Sequence, residues 1–264
     1  MTTSTQRFRD LHTAGCFVMP NPFDIGSARI LEAIGFGALA TTSAGFAATL
    51  GRQDMTLTRD ELVAHVAALA AATTVPLNVD SERCFAENEH GIAETVHLLA
   101  DAAAAGFSIE DWNPATDRID DAGVATARVH AAAVAAAERG LVLTARCENH
   151  LHGVDDLDDT IVRLRAYLAA GAEVVYAPLL ATAAQIEPVV ALGAPVNVLL
   201  LPGGPTVQEL AAMGVRRISV GSTLANIAQG ALVATAEHLL AHGTFDANAP
   251  FVSSSLKRRA FTNG

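Results

Sequence analysis

PLNVDSE, running from Pro76 to Glu82, is the stretch that decides the fold. An apolar, β-rich run, Val75 to Val79, ends abruptly in two acids one residue apart, Asp80 and Glu82. Continuous apolar runs mark parallel strands covered on both faces. Acids at the end of such a run mark the carboxyl end of the strand, where α/β sheets and barrels build their sites. In strand conformation a D-x-E pair points both side chains the same way. Two like charges on one face repel unless a cation sits between them, and hard carboxylate oxygens suit Mg²⁺, with Mn²⁺ as the alternative.

Outward from this stretch a unit recurs: an Ala-rich helical segment, a glycine, then a short apolar run. It reads LEAIGFGALATT, ADAAAAGFSIED, AAERGLVLTAR, LAAGAEVVYAP, VALGAPVNVLL and LAAMGVRRISVG. Gly35, Gly106, Gly140, Gly171, Gly193 and Gly214 stand where helices should stop, at the position that tolerates a left-handed backbone. With FVMP near the start and PLNV there are eight strand candidates, each followed by a helix candidate. The helices are expected at 24–34, 58–73, 89–105, 121–139, 157–170, 181–191, 206–213 and 222–242, with capping-box spacings at Thr58/Glu61 and Thr206/Glu209. Eight βα units predict a (β/α)₈ TIM barrel. A doubly wound open sheet is the alternative, but the G-x-G-x-x-G turn it often carries is missing. One barrel domain is expected over 1–264, with a polar C-terminal tail at 243–264 whose LKRRAF piece reads as a short helix or a frayed end.

The 264 residues fit one such barrel, and 51% hydrophobic against 17% charged residues excludes disorder. A net charge of −11 argues against nucleic acid or an anionic membrane as partner. A small anionic substrate stays compatible, since a local cation reverses the local field. Cys16, Cys84 and Cys147 are too few and too scattered for a disulfide framework, so a reduced cytoplasm is expected. Neither a signal peptide nor a membrane-spanning run is read from the sequence.

The strand ends carry Asn21 and Asp24; Thr41, Thr42 and Ser43, then Arg52 and Asp54; Asp80 and Glu82; Glu110 and Asp111; Arg146, Glu148 and His150; Tyr176; Asn197; and Gly221 with Ser222. Glu110 and Arg146 terminate apolar runs directly and would be costly to bury unpaired. Tyr176, Asn197 and Trp112 are pocket candidates, and His150 is a candidate general acid or base. Cys84 lacks an identified base partner and reads as a loop cysteine.

This ordered series resembles the isocitrate lyase/phosphoenolpyruvate mutase superfamily, from PNPFDIGSARILEAIGF through LGRQD, PLNVDSE, FSIED and LTARCENH to RRISVGS. The resemblance implies a Mg²⁺ cluster at Asp54, Asp80, Glu82 and Glu110, held largely through water, with Asp80 the direct ligand. It implies that the backbone of Thr42, Ser43 and Ala44 clamps a substrate carboxylate and that Arg146 pairs with the substrate. The implied chemistry is cleavage beside a 2-oxo acid, leaving a pyruvate-type enolate stabilised by the cation and Arg146, with Glu110 beside them; His150, an addition to the family pattern, is the further catalytic candidate. It also implies a homo-oligomer, dimer or tetramer, that exchanges the last barrel helix between subunits.

The chain departs from that pattern after the fourth strand, where the lyases' K-K-C-G-H loop is replaced by Trp112–Asp117, WNPATD. Its acid pair is D-S-E, and A-R-C-E-N-H stands for A-R-T-D. The reading that follows is a Mg²⁺-dependent lyase or hydrolase cleaving a C–C bond in a small 2-oxo or 2-hydroxy dicarboxylate such as an oxaloacetate-like acid. The alternatives are a P–C bond mutase or hydrolase, for which Arg52 or Arg83 would have to supply extra cationic charge, and a non-catalytic metabolite-binding barrel.

Overall fold

The computed structural model describes residues 2–261. The final residues of the expected tail, 262–264, lie outside them. Among the described residues there are ten strands: β1 Phe17–Met19, β2 Leu39–Ala40, β3 Leu77–Asp80, β4 Gly106–Glu110, β5 Trp112–Asn113, β6 Arg118–Ile119, β7 Val142–Arg146, β8 Val174–Tyr176, β9 Val196–Leu199 and β10 Arg217–Ser219. Eight of them form one parallel sheet in the order β1-β10-β9-β8-β7-β4-β3-β2. The two end strands meet where the Ala40 N–H donates to Pro20 O at 3.1 Å. The result is the expected (β/α)₈ barrel. β5 and β6 form a small antiparallel hairpin at its rim.

The helices are α1 Ser4–Leu11, α2 Ile25–Ile34, α3 Ser43–Thr49, α4 Arg59–Ala72, α5 Glu89–Asp101, α6 Ala122–Arg139, α7 Leu157–Ala169, α8 Ala183–Val190, α9 Val207–Ala212, α10 Thr223–His242 and α11 Ser254–Phe261. The expected boxes close: Thr58 with Glu61 starts α4, and Thr206 with Glu209 starts α9. Each leaves fewer orphan N–H groups at its helix start. Gly35 and Gly140 end α2 and α6 at positive φ, as expected. Gly106 does not cap a helix. It opens β4, where an added Cβ would lie 2.7 Å from Val142 O and 2.8 Å from Phe8 Cε1. Its small size is needed for close approach, and Ala103 takes the left-handed backbone after α5 instead.

Alternation along the strands sorts the barrel into two zones. Outward residues such as Val79, Ala145, Val175 and Ile218 join the core beneath the helices. The amino end of the interior is apolar: Met19, Ala38, Ala40, Ala105, Val142 and Val174 pack around Phe8 of α1, which plugs that end. Burial of this kind contributes about 25 cal/mol per Å² of apolar surface. Nearer the carboxyl end the interior turns polar. α11 returns to α2, where Ala260 is buried and the Arg259 guanidinium donates to Ala33 O. α10 is different. Only Ala225 of it is buried, while Ile227 (62% exposed), Leu232 (68%) and Leu240 (90%) face outward.

Candidate active site

Strand ends deliver the charged residues. β7 delivers Arg146, whose Nη1 donates to Asp80 Oδ1 at 2.6 Å and lies 3.2 Å from Glu110 Oε2, while its Nε donates to Glu148 Oε1 at 2.8 Å. Three carboxylates from β3, β4 and the segment after β7 therefore surround one guanidinium. Burial works against that charge, but Glu148, Glu110 and Asp80 outweigh it and hold the Arg146 pKa well above its ordinary value. Burial pushes the Glu110 and Glu148 carboxyls up, and Arg146 opposes the shift in both. The Arg146 guanidinium carbon also sits 5.3 Å from the Tyr176 ring centroid, within cation–π range.

Asp80 is gripped from the other side too. Ser43, at the start of α3, donates to Asp80 Oδ2 from both its N–H and its Oγ, each at 3.1 Å. Thr42 caps α3 by accepting from Gly45 N. The turn assigned to carboxylate clamping thus binds a carboxylate here, that of Asp80. The sequence reading missed α3 itself, because SAGFAAT lies in what looked like a strand-end loop.

Glu82 corrects the strand-conformation argument for the D-x-E pair. β3 ends at Asp80, and Glu82 has φ +48. Cys84 and Phe85 are also left-handed, at φ +59 and +51. Such backbone is costly for residues with a Cβ and persists where surroundings over-determine it. Here Arg128 donates to Arg83 O and Ala86 O, Thr95 donates to Cys84 O, and Arg83 pairs with Asp120 at 2.8 Å. The turn still delivers Glu82 into the field of the other acids. Burial, then Asp80 and Asp54, push its pKa up to about 8, and its Oε1 is buried without a hydrogen-bond partner.

Two adjoining cavities open on the Arg146 cluster, while Glu82 lines neither and faces a third cavity, of about 190 Å³, beside Met55 and Arg83. One, about 250 Å³, is lined by Thr42, Ser43, Ala44, Asp54, Asp80, Arg146, Tyr176 and Asn197 among others. The second, about 130 Å³, shares Ser43, Asp54 and Arg146 and adds Glu110, Glu148, Trp112 and His152. Trp112 stacks on His152 with ring centroids 3.4 Å apart and makes one wall. His150, the expected acid or base, lines neither cavity. Its Nδ1 is 3.4 Å from Asp155 Oδ1. The intervening 3₁₀ turn, His150–His152, brings His152 to the cavity in its place. Asp111 also leaves the mouth: one residue past inward-facing Glu110, it is buried against Tyr167 Oη at 2.6 Å and Glu148 N at 2.8 Å. Arg52 and Arg83 are committed to Glu61 and Asp120. Burial raises the Cys84 thiol pKa to about 11, which fits a packing role. Among the described residues no three acids, histidines or cysteines stand together as a finished metal centre, because Asp80 and Glu110 are turned onto Arg146.

A cavity at the carboxyl end of a (β/α)₈ barrel, with one arginine held among three acids, stands where barrel enzymes build their sites. The chain belongs to the phosphoenolpyruvate phosphomutase family, whose model matches residues 8–240. It is similar to an uncharacterized protein of Mycobacterium tuberculosis, 33% identical over 219 residues and 81% of each chain. It is also similar to the oxaloacetate decarboxylase of Paraburkholderia xenovorans, 31% identical over 240 residues that cover 84% of this chain and 76% of that one. In structure it is similar to a Burkholderia cenocepacia protein of the lyase/mutase kind, at TM-score 0.92 and 45% identity over 97% of this chain and 94% of that one.

Proposed function

We propose that this protein is a lyase that cleaves a C–C bond in an oxaloacetate-like 2-oxo dicarboxylate by way of a pyruvate-type enolate, with Mg²⁺ as its cofactor and Mn²⁺ as the alternative ion. The observation that carries this reading is the Arg146 cluster: one cation among buried Glu110 and Glu148 and half-buried Asp80 at the cavity mouth, in a chain whose relatives include a decarboxylase of oxaloacetate.

The acids present fit a hard cation. Glu82 Oε1 is a buried, unpartnered oxygen, and Asp80 and Asp54 both repel a charge on it. Asp54, Asp80, Glu82 and Glu110 would hold the ion, mostly through water, in keeping with the few protein ligands Mg²⁺ takes. When bound, it supplies Lewis-acid stabilisation of negative charge on oxygen. The remaining work belongs to the chain. Arg146 presents planar N–H donors to a carboxylate or enolate oxygen, and Tyr176 supports it from below. Glu148 fixes the guanidinium through Nε. Trp112 and His152 wall off water, and the His152 ring is the imidazole placed to exchange a proton with a ligand in the smaller cavity.

The P–C mutase reading is weaker, because Arg52 and Arg83, the cations it would need, are engaged elsewhere. The non-catalytic reading rests on the short β5–β6 hairpin after the fourth barrel strand, against which stand the retained acids and Arg146. The reading also includes a homo-oligomer, dimer or tetramer, in which the apolar outer face of α10 is covered by exchange with a second subunit, and a cytoplasmic location consistent with free Cys16, Cys84 and Cys147. Among the described residues no helix is long and apolar enough to cross a membrane.

The test is calorimetric titration of oxalate, an enolate mimic, into protein with Mg²⁺, for wild type and Asp80→Ala, followed by an oxaloacetate turnover assay. Metal-dependent oxalate binding lost in Asp80→Ala, with turnover in the wild type, is expected. A folded wild type that neither binds oxalate nor consumes oxaloacetate would overturn the assignment.

A further inference from the structure

Arg217 is the largest of the fully buried side chains, 1% exposed, and it faces the barrel interior from β10. Its hydrogen-bond partners are all neutral. Nε donates to Asn197 Oδ1 at 2.9 Å, Nη2 to Thr144 Oγ1 at 2.8 Å, and Nη1 approaches His12 Nε2 at 3.4 Å. His12 Nδ1 lies 2.8 Å from Phe8 O, so the proton sits on Nδ1 and Nε2 offers its lone pair to Arg217. Burial and the Arg217 charge push the His12 pKa down to about 3, which keeps that ring neutral. Among the described residues no carboxylate pairs with Arg217. A guanidinium has five N–H groups, and Asn197, Thr144 and His12 take three of them.

A buried cation without a counter-charge is expensive. Burial drags the Arg217 pKa down to about 9. Barrels usually fill this level with branched apolar side chains. Here Arg217, Asn197, Ser219, Asn78 and Ser108 all line the larger cavity, whose mouth is built by Asp80 and Arg146. Asn78 Oδ1 adds a buried acceptor with no partner. Polar groups continue between the two levels: Asn197 Nδ2 donates to Ser219 Oγ at 2.9 Å, Tyr176 lines the same cavity, and the Arg146 guanidinium carbon lies 5.3 Å from the Tyr176 ring centroid. One cavity therefore has a cation at its mouth that is saturated by protein carboxylates and a second, deeper cation that is not.

We propose that Arg217 is the specificity-determining residue for a second carboxylate on the substrate, which descends into the barrel while the 2-oxo-acid end stays at the mouth with Asp80 and Arg146. This rests on the 2-oxo dicarboxylate reading above and adds where the far carboxylate goes. The substrate's own carboxylate supplies the missing counter-charge, so a dicarboxylate is bound in preference to a monocarboxylate of the same length.

The test uses the full chain as wild type, Arg217→Met and Arg217→Lys. Calorimetry with Mg²⁺ compares oxalate, which spans the mouth alone, with difluorooxaloacetate, which carries the far carboxylate. Arg217→Met is expected to bind oxalate within about twofold of wild type and difluorooxaloacetate about 10- to 100-fold more weakly, the loss of a charge-assisted pair. Arg217→Lys should fall between, since it keeps the charge without the planar fork. If Arg217→Met fails to fold, the Arg217→Lys comparison of the two ligands decides. Equal loss of both ligands, or of neither, overturns the proposal. Thermal melts in EDTA with succinate or chloride separate it from the catalytic assignment. Succinate should raise the wild-type midpoint and leave that of Arg217→Met unchanged, even where oxalate does not bind. Chloride acting as well as succinate would make this a free inorganic anion site and overturn the substrate role, and no succinate effect on the wild type overturns it as well.

Discussion

Arg146 and Arg217 stand inside one barrel and line one cavity, yet they live in opposite electrostatic worlds. Arg146 has Asp80, Glu110 and Glu148 around it. Arg217 has Asn197, Thr144 and His12. The first is a charge the protein has neutralised for itself, and its pKa is raised. The second is left charged against neutral dipoles, and its pKa is lowered. The difference teaches that burial alone does not decide what a buried charge is for. The count of opposite charges around it does.

The largest expected effect comes from removing the neutralised cation. Arg146→Met leaves buried Glu110 and Glu148 and half-buried Asp80 facing one another and should cost about 3–5 kcal/mol of stability, measured as a shift in urea midpoint. Turnover of oxaloacetate should fall by about a thousandfold or more, as for loss of a transition-state donor. If stability is unchanged, the carboxylates are not paired as described. Next comes pH dependence. The folded His12 pKa of about 3 lies below its ordinary 6.5. Below pH 6.5 the unfolded chain takes up a proton that the folded chain declines, so stability is lost as pH falls from 6.5 toward 3. At pH 5 the loss is about 2 kcal/mol. His12→Gln lacks this term, so the stability advantage of wild type over it should shrink by about that amount between pH 7 and pH 5. A gap independent of pH would show that His12 is not buried neutral beside Arg217.

Two smaller effects sharpen the contrast. Asn197→Asp gives Arg217 the carboxylate it lacks, 2.9 Å from its Nε. It should weaken difluorooxaloacetate about tenfold while leaving the melting midpoint equal or higher, so that Arg217 comes to resemble Arg146. A drop in midpoint would show that the neutral surroundings are needed for folding. Leu240→Glu, on the 90% exposed outer face of α10, should change neither arginine and should shift the oligomer toward monomer in light scattering. An unchanged mass would leave that face uninvolved in assembly.

Much of this could be read from the chain. The helix–glycine–apolar unit announced eight βα repeats, and acids ending apolar runs announced the carboxyl rim. What escaped was anything set by the third dimension. Asp111 follows Glu110 by one residue, and only the pleat sends it outward to Tyr167. The sequence singles out His150, whereas the 3₁₀ turn carries His152 to the cavity. Glu82 reaches the acid cluster through a left-handed backbone that no periodicity encodes. Arg217 was legible as a charged residue inside the run VRRISV, but its lack of a counter-charge depends on strands distant in sequence.

The closure between β1 and β2 has a temporal consequence. Elsewhere the barrel strands are joined by ladders of backbone bonds, whereas this junction is held by Ala40 N to Pro20 O and by the Asn21 side chain, which donates to Thr41 O at 2.8 Å and accepts from Val220 N and Gly221 N. Among barrel amides, that of Ala40 should exchange with solvent hydrogen soonest, because opening there breaks the fewest bonds. Thr42 and Ser43 follow directly on that junction, so the part of the cavity that grips Asp80 lies where the cylinder first comes apart, and a ligand that bridges it would slow the opening of the whole barrel.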